Sequence, residues 1–151
     1  MNFSKIKLQM KTIQEFEYSP AKVKTPIDVV KLISNLEELN KASDEVLVLI
    51  GLNASNEIIT YSEIAKGGMD YCTIDVKSIF KMLLISNACR FILVHNHPNI
   101  DSYTLNDIKL ITRIQKIANM FEMEFIDYIV ICKDQYISCF TDDGRIGGTD
   151  E

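Results

Sequence analysis

The chain lacks the residue patterns of cysteine-rich and membrane-bound proteins. Its four cysteines are widely spaced and include no Cys-x-x-Cys pair, which argues against a cysteine zinc site or a thioredoxin-like motif. It has no long uncharged apolar run, so we expect no transmembrane helix. Residues 1–5 lack the apolar core of a secretion signal, which favours a cytoplasmic protein. In that compartment we expect the cysteines to be buried, reduced thiols.

Basic residues are outnumbered by acidic ones. Lys and Arg total 16, Asp and Glu total 21, and the formal net charge is −5. This balance argues against an extended surface of phosphate contacts, while a local basic patch stays compatible with it. The 151 residues suffice for one domain with a real core, and 47% of them are hydrophobic. We expect a single domain over residues 1–141 and a polar, frayed tail over residues 142–151.

Strand and helix patterns alternate along the chain and predict an α/β fold. Residues 3–17 alternate polar and apolar side chains, which predicts a half-buried strand at a sheet edge. Further strands are predicted at residues 46–50, 57–65, 91–94, 122–132 and 135–140. Helices are predicted to start at Thr25, Asp75 and Thr104. We place Ile108, Ile111, Ile114, Ile117 and Ala118 on the inner side of the last helix. The pattern predicts a single α/β sandwich with a mixed sheet.

Both histidines of the protein lie in one short segment, where an apolar run meets a proline-containing loop. Residues i and i+2 of a strand point to the same face, so His95 and His97 can direct two imidazoles at one point. Asp107 follows at the expected start of the last helix. Two imidazoles and a carboxylate, with a fourth position open for water, are a common ligand set for catalytic zinc. The sequence therefore predicts a zinc site formed by His95, His97 and Asp107.

A hydrolytic zinc site also needs a general base that moves a proton from water to the leaving group. Glu57 and Glu63 share parity on the returning strand, and Glu63 lies at the strand end beside glycines, where a cleft could open. Plainer interpretations stay open at this point. The histidines fit hydrogen bonding within a loop, and Glu63 fits a solvated strand residue. Thr104-x-x-Asp107 fits a capping box in which Asp107 bonds only backbone amides.

The segment Leu93–Pro98, followed by Thr104-x-x-Asp107, resembles the JAB/MPN metalloprotease motif. It is most similar to the RadC branch, in which an apolar strand is followed by His-Asn-His-Pro and then Ser-x-x-Asp. The resemblance covers nearly the whole chain. Further matches are the helix at residues 25–29, Glu63 with Gly67, the helix at residues 78–88, and the strands at residues 125–130 and 136–138.

This resemblance implies a cytidine-deaminase-like α/β/α sandwich with Zn²⁺ held by His95, His97 and Asp107. It implies that Glu63 is the general base and that Thr104 stands where the family has a serine that hydrogen-bonds the oxyanion. Family members with known activity hydrolyse peptide or isopeptide bonds, so a zinc metallopeptidase with such a substrate is expected. RadC-like proteins are also commonly labelled DNA repair proteins and occur in mobile elements.

The chain departs from the family pattern in several places. The loop between His97 and Asp107 is shorter by a single residue, and Asn99-Ile100 replaces the usual Ser-Gly. Thr104 keeps the hydroxyl of the family serine but adds a β-branch. Tyr128 stands where a histidine is often found, and we do not expect it to be a ligand. The helix-hairpin-helix segment of longer RadC proteins is not recognised in this sequence.

Two other classes of function remain as alternatives. A metal-dependent nuclease or nucleic-acid-processing module would need a basic groove near His97, and the nearby basic residues are few. They are Lys66, Lys77, Lys81 and Lys109. A non-catalytic interaction domain with the same fold would bind metal weakly or not at all. A peptide or isopeptide is the expected partner, nucleic acid is not supported by the net charge, and no membrane contact is expected.

Overall fold

The computed structural model describes residues 1–7, 9–17, 22–36, 42–67, 74–99 and 102–142. These residues form four helices and five strands that alternate along the chain. In order they are α1 (Pro26–Leu36), β1 (Val46–Leu52), β2 (Ile58–Lys66), α2 (Val76–Ile85), β3 (Arg90–Asn96), α3 (Leu105–Met120), β4 (Glu124–Cys132), β5 (Gln135–Ser138) and α4 (Cys139–Asp142).

The strands form one mixed sheet in the order β2-β1-β3-β4-β5. The β3–β4 pair is parallel, and the other three pairs are antiparallel. This arrangement confirms the predicted α/β sandwich with a mixed sheet. Because β1 runs opposite to β3, the start of β1 lies beside the end of β3. That end of the sheet is where the histidines lie.

Helices cover both faces of the sheet, and each face has its own apolar core. Val29, Leu32 and Ile33 of α1 pack on one face against the even-numbered residues of β1 and β3, such as Val48 and Val94. Helices α2 and α3 pack on the other face against the odd-numbered residues of the same strands. The central strands are therefore buried on both faces, as their continuous apolar runs predict.

Local hydrogen bonds explain where the helices begin, as predicted. Asp75 caps α2 by accepting a hydrogen bond from Lys77 N at 3.0 Å. In the first turn of α1, the carboxylate of Asp28 accepts hydrogen bonds from the backbone and side chain of Thr25, which directly precedes the helix. Thr104 is the N-cap of α3 and forms a capping box with Asp107. The last of these caps is also part of the candidate site.

The predicted strand over residues 3–17 is wrong in the described part, because residues 1–7 and 9–17 form neither helix nor strand. Phe3 and Ile13 are 94% and 91% exposed. Phe3 and Ile13 are odd-numbered whereas Ile6, Met10 and Phe16 are even-numbered, so no single strand face would be apolar. A strand formed by this segment would not bury all its apolar side chains on one face, so hydrophobic burial would not stabilise its pairing with the sheet.

Three smaller predictions also need correction. Ile108 is exposed, because the buried stripe of α3 instead runs through Asp107, Leu110, Ile111, Ile114 and Ala118. The last strand ends at Ser138, and α4 follows it. Cys132 and Cys139 are buried as predicted, but Cys89 is exposed, and Cys72 lies outside the described residues. No helix in the described part of the chain is long and apolar enough to cross a membrane.

Candidate metal centre

The two histidines lie at the carboxyl end of β3 and are both buried. His95 lies opposite Leu47 of β1, whose side chain belongs to the core under α2 and α3. The backbone N–H of His97 donates to Ile131 O at 2.8 Å, so the hydrogen bonds between β3 and β4 continue one residue past the strand. The two ring centroids are 4.6 Å apart. The i, i+2 spacing therefore brings both imidazoles to one point.

Helix α3 brings Asp107 to the same point. Its Oδ1 lies 3.0 Å from His95 Nδ1, and its Oδ2 lies 3.0 Å from His97 Nε2. The same Oδ2 accepts hydrogen bonds from Thr104 N at 2.6 Å and from Thr104 Oγ1 at 3.0 Å. Asp107 is thus both the capping-box residue and a neighbour of the two histidines. The capping box is present, but the alternative in which Asp107 bonds only backbone amides is wrong, because the carboxylate also contacts side chains.

Tyr128 is a member of this cluster that sequence reasoning missed. Its side chain is fully buried, and its hydroxyl donates to Asp107 Oδ1 at 2.7 Å. The same hydroxyl lies 3.0 Å from His95 Nδ1. The parallel β3–β4 pair sets Tyr128 beside Leu93, which lies two residues before His95 and on the same face. That pairing follows only once the strand order is known.

The cluster favours an ionised carboxylate and a neutral tyrosine. Burial alone would raise the pKa of Asp107, but hydrogen bonds from the histidines, Thr104 and Tyr128 outweigh it and hold the pKa well below its usual range. Burial, together with the adjacent Asp107 charge, raises the pKa of Tyr128 well above its usual value. Asp107 therefore acts only as an acceptor, and Tyr128 keeps a proton that it can donate.

The donor set and its unpaired atoms fit a metal ion. Nε2 of His95 and Nδ1 of His97 are buried with no hydrogen-bond partner among the described residues, and Nε2 of His97 contacts Asp107 Oδ2. Buried polar atoms without partners are costly, so such atoms often mark the place of an unseen ligand. In the described part of the chain, His95, His97 and Asp107 offer ligand atoms that all lie within 4.8 Å of one another. Two nitrogens and one carboxylate oxygen suit zinc.

A second carboxylate, that of the residue directly before β1, lies near the cluster. Oε2 of Glu45 lies 3.9 Å from His95 Nε2, and its side chain is partly exposed. Glu45 and His97 both line a cleft of about 260 Å³, together with Asp44, Gly67 and Pro98. Sequence reasoning missed Glu45 because nothing distinguishes it locally from the acidic residues around it. The signal that could have found it is its place directly before β1, at the end of the sheet that also holds the histidines.

Hydrogen bonds hold the Glu45 backbone from both sides. Asn96, between the two histidines, accepts from Val46 N at 2.6 Å and donates to Asp44 O at 2.9 Å. Gly67 N donates to Glu45 O at 2.8 Å. Gly67 has a φ of +101°, a conformation that glycine adopts more readily than other residues. Asn96 and Gly67 therefore fix the approach of Glu45 to His95.

The structure does not bring Glu63 to this cluster. Glu63 pairs with Val48 of β1, and Val48 packs on the α1 face of the sheet. His95 packs on the opposite face, and directly paired residues share a face. Glu63 is exposed and lies at the end of the sheet that holds the histidines, but on the face opposite to His95. The base role predicted for Glu63 therefore has no support from its position. Thr104 lies next to Asp107, and its predicted oxyanion role stays a prediction.

A mixed five-stranded sheet between helices, with a buried His-His-Asp cluster at the end of its central strand, defines an α/β domain of the JAB/MPN type. The chain belongs to the RadC-like JAB domain family, whose family model matches residues 23–145. The match confirms the resemblance drawn from the His-Asn-His-Pro segment. It begins at Val23, next to the start of α1, and includes every residue of the cluster.

The chain is also similar to bacterial proteins named UPF0758. It is 34% identical to one from Clostridium perfringens over 123 residues, which are 81% of this chain and 53% of that protein. A relative from Clostridium beijerinckii is 28% identical over 118 residues, or 78% of this chain and 51% of that protein. One from Coprothermobacter proteolyticus is 27% identical over 135 residues, or 87% and 55%. The chain therefore spans about half the length of these curated relatives.

Proposed function

We propose that this domain is a zinc-dependent hydrolase that cleaves peptide or isopeptide bonds. The observation that carries the proposal is the buried cluster itself, in which His95, His97 and Asp107 offer ligand atoms within 4.8 Å of one another. Nε2 of His95 and Nδ1 of His97 have no hydrogen-bond partner among the described residues. His95, His97 and Asp107 would hold the ion. When bound, zinc supplies the Lewis acidity that activates water and polarises a carbonyl group.

Glu45 is the carboxylate that the geometry favours as the general base. A base must lie within reach of the water that it deprotonates, and Glu45 Oε2 is already 3.9 Å from a ring nitrogen of His95. Its partial exposure on the cleft wall lets it take a proton from water and return it to the leaving amine. Asn96 and Gly67 orient its backbone for this task.

The cleft favours a protein substrate over a nucleic acid. Asp44 and Glu45 line it, and no lysine or arginine is found among the described residues of its wall. Recognition of a phosphate backbone depends on basic side chains, which this wall does not provide. A polypeptide carries no such requirement, and the released amine becomes a cation that an acidic wall accommodates.

The test joins metal analysis with hydrolysis assays. Purified protein is expected to hold one zinc per chain, and His97→Ala is expected to lose it. Quenched fluorescent peptides and isopeptides linked through lysine Nε serve as substrates. Glu45→Gln should keep the zinc and lower turnover by about 10²–10⁴-fold, the usual contribution of a general base. Glu63→Gln is the matched variant on the opposite face and should retain turnover.

Each result separates one part of the proposal from the rest. Protein without stoichiometric zinc, or zinc that persists in His97→Ala, would overturn the metal centre. Full turnover in Glu45→Gln, with loss in Glu63→Gln, would return the base role to Glu63. Zinc bound normally without cleavage of any peptide or isopeptide would leave a metal-binding interaction domain.

A further inference from the structure

Tyr128 joins the candidate ligands to the core beneath them. It lies on β4 beside Leu93 and belongs to the core under α2 and α3. Its ring is fully buried and meets the His95 ring edge-on, with centroids 6.3 Å apart. Because the strand backbone and the packed ring leave it little freedom, its hydroxyl is a fixed point beneath Asp107 and His95.

The hydroxyl closes a triangle of contacts. It donates to Asp107 Oδ1 at 2.7 Å, and His95 Nδ1 lies 3.0 Å from both of these oxygens. The phenol O–H donates to the carboxylate oxygen, so the tyrosine proton points to Asp107 Oδ1. The tautomer of His95 with its proton on Nδ1 can share that proton between the two oxygens. In the absence of metal, the triangle therefore holds the imidazole and the carboxylate side by side.

We propose that Tyr128 is a positioning residue of the metal centre, whose hydroxyl keeps Asp107 and His95 in a metal-competent arrangement. This inference rests on the proposed zinc site. Ligands that are already in place lose less freedom when an ion binds, so a fixed hydroxyl increases affinity without touching the metal. Thr104 supports Oδ2 of the same carboxylate, and Tyr128 supports Oδ1. The two residues together leave the carboxylate no free rotation.

The variant Tyr128→Phe removes the hydroxyl and keeps the ring. Loss of a hydrogen-bond partner of a metal ligand usually weakens metal binding by about 10–100-fold. We expect a loss in that range when zinc is titrated against a chromophoric chelator. Cobalt is a second probe, because its visible spectrum reports ligand geometry at full occupancy, and that spectrum should change. Tyr136→Phe, on β5 and 39% exposed, is the matched control and should bind as the wild type does.

A purely structural role for Tyr128 would not alter the cobalt spectrum of a folded, saturated protein. Circular dichroism of the metal-free variants checks the fold. If Tyr128→Phe does not fold, Tyr128→His takes its place. The imidazole is shorter than the phenol, so its N–H is expected to lie further from Asp107 than the hydroxyl does. Its zinc affinity is expected below that of the wild type. Affinity equal to or tighter than the wild type in the folded variant, with an unchanged cobalt spectrum, would overturn the inference.

Failure of this inference is distinguishable from failure of the proposed function. Wild-type protein that binds no zinc, or a His97→Ala variant that still binds it, removes the metal centre altogether. Wild-type protein that binds one zinc, His97→Ala that loses it, and Tyr128→Phe that binds normally would leave the centre intact and remove only the role of Tyr128.

Discussion

The two faces of the sheet treat their buried polar groups differently, although the same strands supply both. Even-numbered residues of β1 and β3 face α1, and Asn96, a buried polar one among them, uses its amide oxygen and nitrogen in hydrogen bonds. Odd-numbered residues face α2 and α3, and there His95 and His97 retain ring nitrogens without partners. Protein hydrogen bonds thus satisfy the amide of Asn96, whereas they satisfy the two imidazoles only in part.

That difference shows where a ligand belongs. An unsatisfied buried polar atom costs about 1–3 kcal/mol, so a stable domain keeps such atoms only where something else uses them. The α1 face stabilises the fold and holds the Glu45 segment, whereas the opposite face places reactive groups. Substitutions on the α1 face should therefore change stability without changing metal binding, whereas those of the cluster's ligands should abolish metal binding.

The largest expected effect on stability lies on the α1 face. Ile33→Ala in α1 empties a fully buried position and should lower the free energy of unfolding by about 2–5 kcal/mol. Zinc affinity of the folded protein should stay unchanged, because the sheet separates Ile33 from the cluster. Urea unfolding of the metal-free protein and a zinc titration below the transition measure the two quantities. A parallel loss of affinity would show that the faces are coupled.

Asn96 tests a link between the α1 face and the Glu45 segment. Asn96→Ala leaves Val46 N and Asp44 O without their partners and should cost about 1–3 kcal/mol of stability. The variant should still bind one zinc but hydrolyse substrate more slowly, because the Glu45 segment is no longer fixed. Metal analysis, urea unfolding and the hydrolysis assay measure these effects together. Turnover equal to that of the wild type would show that Gly67 alone orients Glu45.

Much of the fold followed from the sequence because local signals agreed with one another. The buried strands were readable from continuous apolar runs, and the helix starts from capping residues such as Asp75 and Thr104. The segment at residues 3–17 was misread because its apolar residues do not keep one parity, so the alternation defines no apolar strand face. Ile108 was misplaced because apolar character was taken for burial, whereas the helix turns that position outward.

The candidate site was predictable only where its residues are close in sequence. His95 and His97 are separated by one residue, and Asp107 follows one loop later, so spacing alone suggested a common point. Glu45 and Tyr128 reach the cluster through strand pairing, which no local pattern encodes. Glu63 illustrates the same limit. Parity within its own strand does not reveal whether Glu63 shares a face with His95, because that depends on how the neighbouring strands pair.

A smaller effect is expected from replacing a reactive group by an apolar one. His97→Leu removes a buried Nδ1 that has no partner among the described residues and should raise the stability of the metal-free protein by about 1–2 kcal/mol, while abolishing zinc binding. Urea unfolding in the presence of a chelator measures the gain. A loss of stability under these conditions would indicate that the contact of His97 with Asp107 outweighs the cost of burying the ring.

The smallest effect concerns the cap that Thr104 provides to α3. Thr104→Ala removes the hydroxyl that accepts from Asp107 N and donates to Asp107 Oδ2, and should cost about 0.5–2 kcal/mol. Thr104→Ser keeps the hydroxyl and should stay within about 0.5 kcal/mol of the wild type. Zinc affinity should fall less in Thr104→Ala than in Tyr128→Phe, because Thr104 N still donates to Oδ2. Thermal unfolding and the chelator titration measure both, and a serine variant as unstable as the alanine one would show that the methyl group, not the hydroxyl, stabilises this end of the helix.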